Sequence, residues 1–247
     1  MTLLILVLLA GGIAGVQNAL AGGGSFVTLA ALVLAGLDPR AANITSTIAL
    51  FPGQVATGYA GRRLTSGTPG LSFAALFAIS LAGGVLGAFL LLATPPTFFA
   101  DLVPWLVLFA TGVFAWGSFV RRPSESATPA GPGFAAVAQF LIAIYGGYFG
   151  GGIGFLMLAA LTVAGQPVRA ASATKNVLAA AMNASAVVIF VFSRDVHWLH
   201  AAVLGAGATA GGVLGAALLS RVNERWLRVG VIVLGAALSV GLFLRGR

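Results

Sequence analysis

Two glycine clusters are the residues of this chain whose type and spacing point most directly to binding chemistry. Consecutive glycines interrupt a helix, because glycine destabilises helical backbone and adopts angles that other residues avoid. A helix that starts at such a break exposes backbone N–H groups and the positive end of its dipole, which bind anions without a charged side chain. We therefore predict binding groups here; the alternative is that the glycines only let helices pack closely. The clusters comprise Gly22, Gly23 and Gly24 with the adjoining Ser25, and Gly150, Gly151 and Gly152.

Uncharged polar side chains accompany both clusters. Amides and hydroxyls within apolar segments are costly unless they bond across helices or line a wet cavity. We expect the amides to line a cavity, whereas the hydroxyls that follow the turns near residues 38 and 167 fit a cavity or a helix cap equally well. The candidates are Gln17, Asn18, Asn43, Thr45, Ser46 and Gln54 in the first half of the chain and Ser172, Thr174, Asn176 and Asn183 in the second.

The elements that must position these groups are membrane helices. Of the 247 residues, 59% are hydrophobic and only 7% are charged, whereas a soluble domain carries about a quarter charged residues. This composition excludes a single soluble domain and a disordered chain, and predicts an all-α polytopic membrane protein in a lipid bilayer. Most of the apolar runs are near the ~20 residues that span a bilayer. They cover residues 3–37, 43–60, 70–93, 103–120, 134–165, 173–193, 201–219 and 227–244.

The charged residues are read as topology signals. Thirteen Lys and Arg against five Asp and Glu give a formal charge of +8. Because these charges lie in short gaps between apolar runs, they favour an orientation signal over a nucleic-acid partner. The absence of cysteine excludes disulfides and thiolate metal sites. We expect no cofactor, no metal and no catalytic residue.

The two halves of the chain resemble each other. Residues 82–91 recur at 210–219 with one difference in ten, and most of the motif residues between 22 and 45 recur 129 positions later. Self-similarity at a fixed offset is typical of a duplicated unit. We predict a membrane repeat over 1–120, a linker over 121–133 and a second repeat over 134–247, forming one integrated domain. Glycines inside uninterrupted runs, such as Gly83 and Gly87, are interpreted as helix-packing residues.

The first run of each half is too long for one span. A helix over residues 3–37 would measure about 52 Å at 1.5 Å per residue, so a hairpin that turns at the glycines fits the length better than one crossing. If each first run is a hairpin, the repeats are inverted, and nine basic residues lie on one side of the membrane and four on the other. If each first run crosses once, the repeats are parallel, and the two sides carry seven and six basic residues. The larger bias favours inverted repeats with both termini outside.

Lys175 is the one basic residue inside an apolar run. Charges within membrane segments are functional by default, so we expect Lys175 to attract an anion, or alternatively to reach the interface near Arg169. Arg40 and Arg169 are interpreted as steering charges or as topology markers. All five acidic residues lie in loops or at run ends, so coupling to protons through a buried carboxylate is not expected.

These patterns together resemble the sulfite exporter TauE/SafE family, also called the toluene sulfonate uptake permease family. The resemblance covers nearly the whole chain and rests on residues 15–24, the segment Gly-Leu-Asp-Pro-Arg-Ala-Ala-Asn-Ile-Thr-Ser-Thr at 36–47, and residues 146–154 with 165–176. It implies transport of small anions, chiefly sulfite and sulfonates, across the bacterial inner membrane. Ser25 departs from the pattern, because many members carry an apolar residue after the three glycines.

The leading interpretation is a secondary transporter or facilitator of a small sulfur-containing anion, with its site at the repeat interface near the glycine breaks. An anion channel and a transporter of another small organic anion remain alternatives. An intramembrane enzyme would need a motif such as His-Glu-x-x-His or Gly-x-Ser-x-Gly, and the sequence contains neither. A membrane scaffold without transport would not need paired breaks and matching polar clusters.

Overall fold

The computed structural model describes residues 2–20, 23–119, 129–218 and 224–245. These residues form ten α-helices and one short 3-10 turn, Arg62–Leu64, with no β-strand among them. The all-α prediction is confirmed for this part of the chain. Gly22 and most of the predicted linker lie outside the described residues. The helices are α1 Thr2–Leu20, α2 Gly24–Leu34, α3 Pro39–Gly61, α4 Phe73–Ala93, α5 Pro96–Phe119, α6 Pro132–Tyr148, α7 Ile153–Val163, α8 Val168–Phe190, α9 Trp198–Leu218 and α10 Glu224–Arg245.

Within the described residues, four helices are long and apolar enough to cross a membrane. They are α4, α5, α8 and the segment Trp198–Gly215 of α9. The helix α3 is as long as α8, at 23 residues. It is less apolar, because it carries several of the polar side chains of the candidate site. The length and composition of these helices agree with a multi-pass membrane protein.

A glycine in left-handed backbone conformation precedes each of the two shortest helices. Gly23 caps α2 with φ 84°, and Gly152 caps α7 with φ 73°. These angles favour glycine because it has no Cβ. At Gly24 a Cβ would lie 2.5 Å from the Ala14 carbonyl oxygen, so the start of α2 packs directly on α1. Further along, Ala10 and Ala14 of α1 cluster with Val27 and Ala31 of α2, so α2 runs back along α1.

The helices of the two halves have similar lengths and pack in a reciprocal pattern. In order, α1 to α5 have 19, 11, 23, 21 and 24 residues, and α6 to α10 have 17, 11, 23, 21 and 22. The helix α1 packs against α9, and α6 packs against α4. Likewise α3 packs against α9 and α8 against α4, while α3 also packs against α8 and α5 against α10.

Glycines bring the backbones of two of these helix pairs into contact. A Cβ at Gly11 or Gly15 of α1 would overlap backbone atoms of α9, and a Cβ at Gly83 or Gly87 of α4 would overlap backbone atoms of α6. Small residues permit this close approach between membrane helices. Gly83 and Gly87 therefore serve helix packing, in agreement with their interpretation from the sequence.

Connections between helices gather at two ends of the molecule. At one end, Arg40 forms an ion pair of 2.7 Å with Asp195 and donates a hydrogen bond of 2.7 Å to the Thr94 carbonyl. At the other, Gln166 donates a hydrogen bond of 2.6 Å to the Ser66 carbonyl. We call these ends the Arg40 face and the Ser66 face. The 23 residues of α3 separate them, which corresponds to about 34 Å of helix.

Candidate functional site

A cavity of about 30 Å³ lies between α2, α3, α8 and the connection from α6 to α7. This volume is the space open to the centre of a water-sized sphere. One water molecule needs about 10–15 Å³ on this measure, so the cavity can hold a small solute. It contains residues from both sequence halves and beside both helix breaks. The lining consists of Ser25, Phe26, Leu29, Asn43, Ser46, Thr47, Leu50, Gln54, Phe149, Gly150, Gly151 and Asn183.

The first turns of α2 supply one wall. Ser25, Phe26 and Leu29 follow the glycine cap and contribute to the lining. The Gly24 N–H donates a hydrogen bond of 2.8 Å to Asn18 Oδ1, so Asn18 satisfies the first N–H of the helix. Because α2 begins at the cavity, the positive end of its dipole lies there.

One face of α3 supplies the largest wall. Its start is fixed by Asp38, whose side chain accepts hydrogen bonds from the backbone N–H groups of Arg40 and Ala41, with Pro39 in the first turn. Asn43 and the residues three, four, seven and eleven positions after it lie on one side of the helix. These residues are Asn43, Ser46, Thr47, Leu50 and Gln54.

Hydrogen bonds between helices hold three of these polar side chains. Asn43 Nδ2 donates to the Tyr148 carbonyl at 3.1 Å, and the hydroxyls of Ser46 and Thr28 share a hydrogen bond of 2.6 Å. Asn183 Nδ2 on α8 donates to Gln54 Oε1 at 2.5 Å. Two of these three hydrogen bonds, those of Asn43 and Asn183, connect the two halves of the chain.

Several hydrogen-bond donors of the lining residues have no partner among the residues that the structure describes. They include the Ser25 hydroxyl, the side-chain amide nitrogen Nε2 of Gln54 and the backbone N–H of Gly151. None of the twelve lining residues is an acid or a base. A neutral wall with unsatisfied donors stabilises negative charge through dipoles, as helix starts and backbone nests do.

Seven of the predicted site residues line this cavity: Ser25, Asn43, Ser46, Gln54, Gly150, Gly151 and Asn183. Three others lie at the helix starts or next to them without lining it, namely Gly23, Gly24 and Gly152. Gly22 lies outside the described residues.

The remaining predicted residues lie elsewhere. Gln17 is buried in α1, and Asn18 caps α2. The Thr45 hydroxyl accepts a hydrogen bond of 3.2 Å from the His197 N–H, and the Thr174 hydroxyl accepts one of 3.1 Å from the Ser66 N–H. Both threonines thus hold connections of the opposite half.

A separate polar group lies on α8 towards α7. Lys175 Nζ donates to Asn176 Oδ1 at 2.9 Å, and Ser172 lies one turn earlier on the same helix. None of these three lines the cavity. Arg40 is bound in the ion pair of the Arg40 face, whereas Arg169 is exposed at the start of α8.

The apolar part of the lining was not predicted from the sequence. Phe26, Leu29, Leu50 and Phe149 belong to it. Helical spacing offers a signal for two of them, because Leu29 lies four residues after Ser25, and Leu50 lies four residues after Ser46. Phe149 directly precedes the second glycine cluster.

Comparison with known proteins gives a consistent family. The sequence model described as "Sulfite exporter TauE/SafE" matches residues 7–242. The probable membrane transporter protein YfcA of Escherichia coli K12 is 27% identical over 233 residues, which cover 93% of this chain and 86% of that protein. The probable membrane transporter protein ORF9 of a Sinorhizobium species is 28% identical over 243 residues, covering 97% and 92%. A probable membrane transporter protein of Haemophilus influenzae is 24% identical over 234 residues, covering 94% and 91%.

The search of solved structures gives no significant match. The family match, however, spans nearly the whole chain and includes both helix breaks and every residue that lines the cavity. The chain therefore belongs to the sulfite exporter TauE/SafE family of membrane transporters.

Proposed function

We propose that this protein is a secondary transporter or facilitator that moves a small sulfur-containing anion across the bacterial inner membrane. The observation that carries the proposal is the cavity with unpartnered hydrogen-bond donors and no charged side chain. An oxyanion that leaves water needs hydrogen-bond donors for its oxygens, and a neutral site can supply them and still release the ion.

The size of the cavity favours the smallest members of the substrate class. A volume of about 30 Å³ suits sulfite or methanesulfonate better than an aromatic sulfonate. The apolar residues Phe149, Leu29 and Leu50 complete the lining, so a methyl group is tolerated beside the donors.

Inverted repeats are supported by the packing of equivalent helices. Along α3 and α8, Gln54 bonds to Asn183 and Gly61 lies against Ala173, so the two helices are antiparallel. The helices α5 and α10 are also antiparallel, because Trp105 contacts Phe243 and the Ser118 carbonyl accepts from Arg228. Two equivalent helices that pack antiparallel are related by a two-fold axis in the membrane plane, as in inverted repeats.

Contacts between connections support the same topology. Arg40 meets Asp195, and Gln166 meets Ser66, whereas parallel repeats would place the members of each pair on opposite sides of the membrane. Hairpins at the first run of each half satisfy both contacts. The nine-against-four division of basic residues then assigns the Ser66 face to the cytoplasm, with repeats over 1–120 and 134–247.

The proposal is tested by flux in proteoliposomes that contain the purified protein. Labelled sulfite, sulfate, methanesulfonate, toluenesulfonate and acetate are compared under counterflow conditions. We expect sulfite and methanesulfonate to exchange and the larger or carboxylate anions to exchange poorly. Exchange that is stimulated by anion on the opposite side indicates a carrier, whereas flux without such stimulation indicates a channel.

A matched pair of variants on α3 ties the flux to the cavity. Gln54→Leu removes an unpartnered donor and should lower the initial rate at least tenfold. Thr57→Val changes an exposed residue one turn away and should keep the wild-type rate. Absence of flux of every sulfur-containing anion, or equal rates in the two variants, would overturn the proposal.

A further inference from the structure

Lys175 is the chain's single lysine, and its charge has no counter-charge within the part of the chain that the structure describes. Its Nζ donates to the neutral Asn176 Oδ1. No carboxylate of the described residues lies within ion-pair distance of Lys175; the ion pair found among those residues joins Arg40 and Asp195. An uncompensated charge in a membrane helix is costly, and a bound anion would remove that cost.

The surroundings of Lys175 correspond to the cavity lining at the repeat offset of 129 residues. Lys175 is the counterpart of Ser46, Asn176 is the counterpart of Thr47, and Gly154 is the counterpart of Ser25. A Cβ at Gly154 would meet only Lys175 Nζ, at 3.8 Å, so space remains open beside the ammonium group. Three counterparts of lining residues therefore lie together in the second half.

The two groups lie on opposite sides of the bond between Gln54 and Asn183. Ser46 precedes Gln54 by eight residues on α3, and Lys175 precedes Asn183 by eight residues on α8; each interval is about 12 Å of helix. The helix α3 begins at the Arg40 face, so Ser46 lies between Gln54 and that face. The helix α8 begins at the Ser66 face, so Lys175 lies between Asn183 and that opposite face. Gln54 and Asn183 are themselves 129 residues apart, so their bond lies on the axis that relates the halves.

We propose that Lys175, Asn176 and Gly154 form a second anion site, between the amide pair and the Ser66 face, that takes the same small oxyanions as the cavity. This inference deepens the proposed function and rests on it. The two sites are unequal, because the cavity is neutral and the second site has a cation. Charge-assisted hydrogen bonds are roughly twice as strong as neutral ones, so the second site holds the anion more tightly.

The single lysine allows a direct test of binding. Reductive methylation with ¹³C-formaldehyde labels Lys175 and keeps its positive charge. Sulfite and methanesulfonate are titrated into the full chain in detergent, and the methyl signal that is missing from Lys175→Arg is assigned to Lys175. We expect the label to be incorporated and its chemical shift to move and saturate. A lysine closed to the small reagent, or a signal that does not move, overturns the proposal.

Variants separate a local site from general attraction. Lys175→Gln should raise the dissociation constant for labelled methanesulfonate at least tenfold in equilibrium dialysis, whereas Lys175→Arg should raise it less than threefold. Arg169→Gln removes an exposed cation six residues away on α8 and should change it less than twofold. Equal effects of the two glutamine variants, or no effect of Lys175→Gln, overturn the second site.

The second site and the proposed function can fail separately. In Ser46→Ala the Lys175 signal should still respond to anion, because Ser46 belongs to the cavity; a lost response would mean that only one site exists. If the wild-type protein exchanges sulfite but the Lys175 signal does not move, this inference alone is wrong. If the signal moves and no anion crosses the membrane, the proposed function is wrong and the binding site stands.

Discussion

Gly151→Ala offers a sharp steric test of the cavity. Gly151 is buried, and its φ is not positive, so alanine can adopt its backbone conformation. The added Cβ would lie 2.7 Å from Phe149 Cε1 and 3.2 Å from Ala110 Cβ. To restore an ordinary contact of 3.4 Å, the Phe149 ring must retreat by about 0.7 Å.

The displaced ring affects binding more than folding. Phe149 lines a cavity of only about 30 Å³, so its movement changes the shape of the space that the anion occupies. Overpacking of this size costs about 1–3 kcal/mol of stability, which leaves a folded protein. Misplacement of binding groups by about 1 Å can cost on the order of 10²-fold in rate. We expect the initial rate of sulfite counterflow to fall at least tenfold.

The assay compares variants reconstituted at equal density. Gly112→Ala on α5 is the control, since a Cβ at Gly112 would meet nothing within 4 Å; it should keep the wild-type rate. Adding Phe149→Leu to Gly151→Ala removes the clashing ring edge and should restore part of the flux. A wild-type rate in Gly151→Ala, or a loss that Phe149→Leu does not relieve, would refute the steric argument.

Three further predictions follow from other contacts. Asn183→Leu removes one hydrogen bond between helices, which costs about 0.6 kcal/mol in membrane proteins; thermal unfolding should change little while counterflow falls at least tenfold, and an unchanged rate would contradict this. Asp195→Asn leaves Arg40 without its counter-charge, in a pair whose side chains are 14% and 25% exposed, so the free energy of unfolding should fall by about 1 kcal/mol. The difference from wild type should shrink in 1 M salt, and a salt-independent loss would point to another cause. Because the chain has no cysteine, Arg63→Cys and Arg169→Cys can be labelled individually with an impermeant maleimide; both should react from the cytoplasmic side, and reaction from opposite sides would exclude inverted repeats.

The all-α fold class could be predicted from the sequence, because a lipid bilayer requires the backbone polar groups of each apolar segment to be satisfied within the protein. Apolar runs of about 20 residues form helices, since the bilayer offers no other partner for their backbone groups. The starts of α2 and α7 also follow a local signal, because Gly23 and Gly152 adopt angles that other residues avoid.

The candidate site was only partly accessible, for a physical reason. Gln54 and Asn183 stand out because an amide in an apolar segment needs a partner. Thr45 and Thr174 satisfy the same reasoning, yet they bind connections of the opposite half. Whether a hydroxyl near a helix start faces a cavity or another loop depends on contacts that are distant in sequence.

The apolar lining was accessible only through the helical spacing that places Leu29 after Ser25 and Leu50 after Ser46. In a chain that is 59% hydrophobic, residues such as Leu50 and Phe149 have the same chemistry as residues that face lipid. Beyond that spacing, the packing of four separate elements distinguishes them.

The reciprocal packing of α1 on α9 and of α6 on α4 has a mechanical consequence. Glycines such as Gly11 and Gly87 place these pairs backbone to backbone, so we expect each pair to move as one rigid unit. Each half thus holds a helix of the other: α1 packs on α9 of the second half, and α6 packs on α4 of the first. A rocking motion would then divide the molecule along a boundary different from the one between the two halves of the sequence.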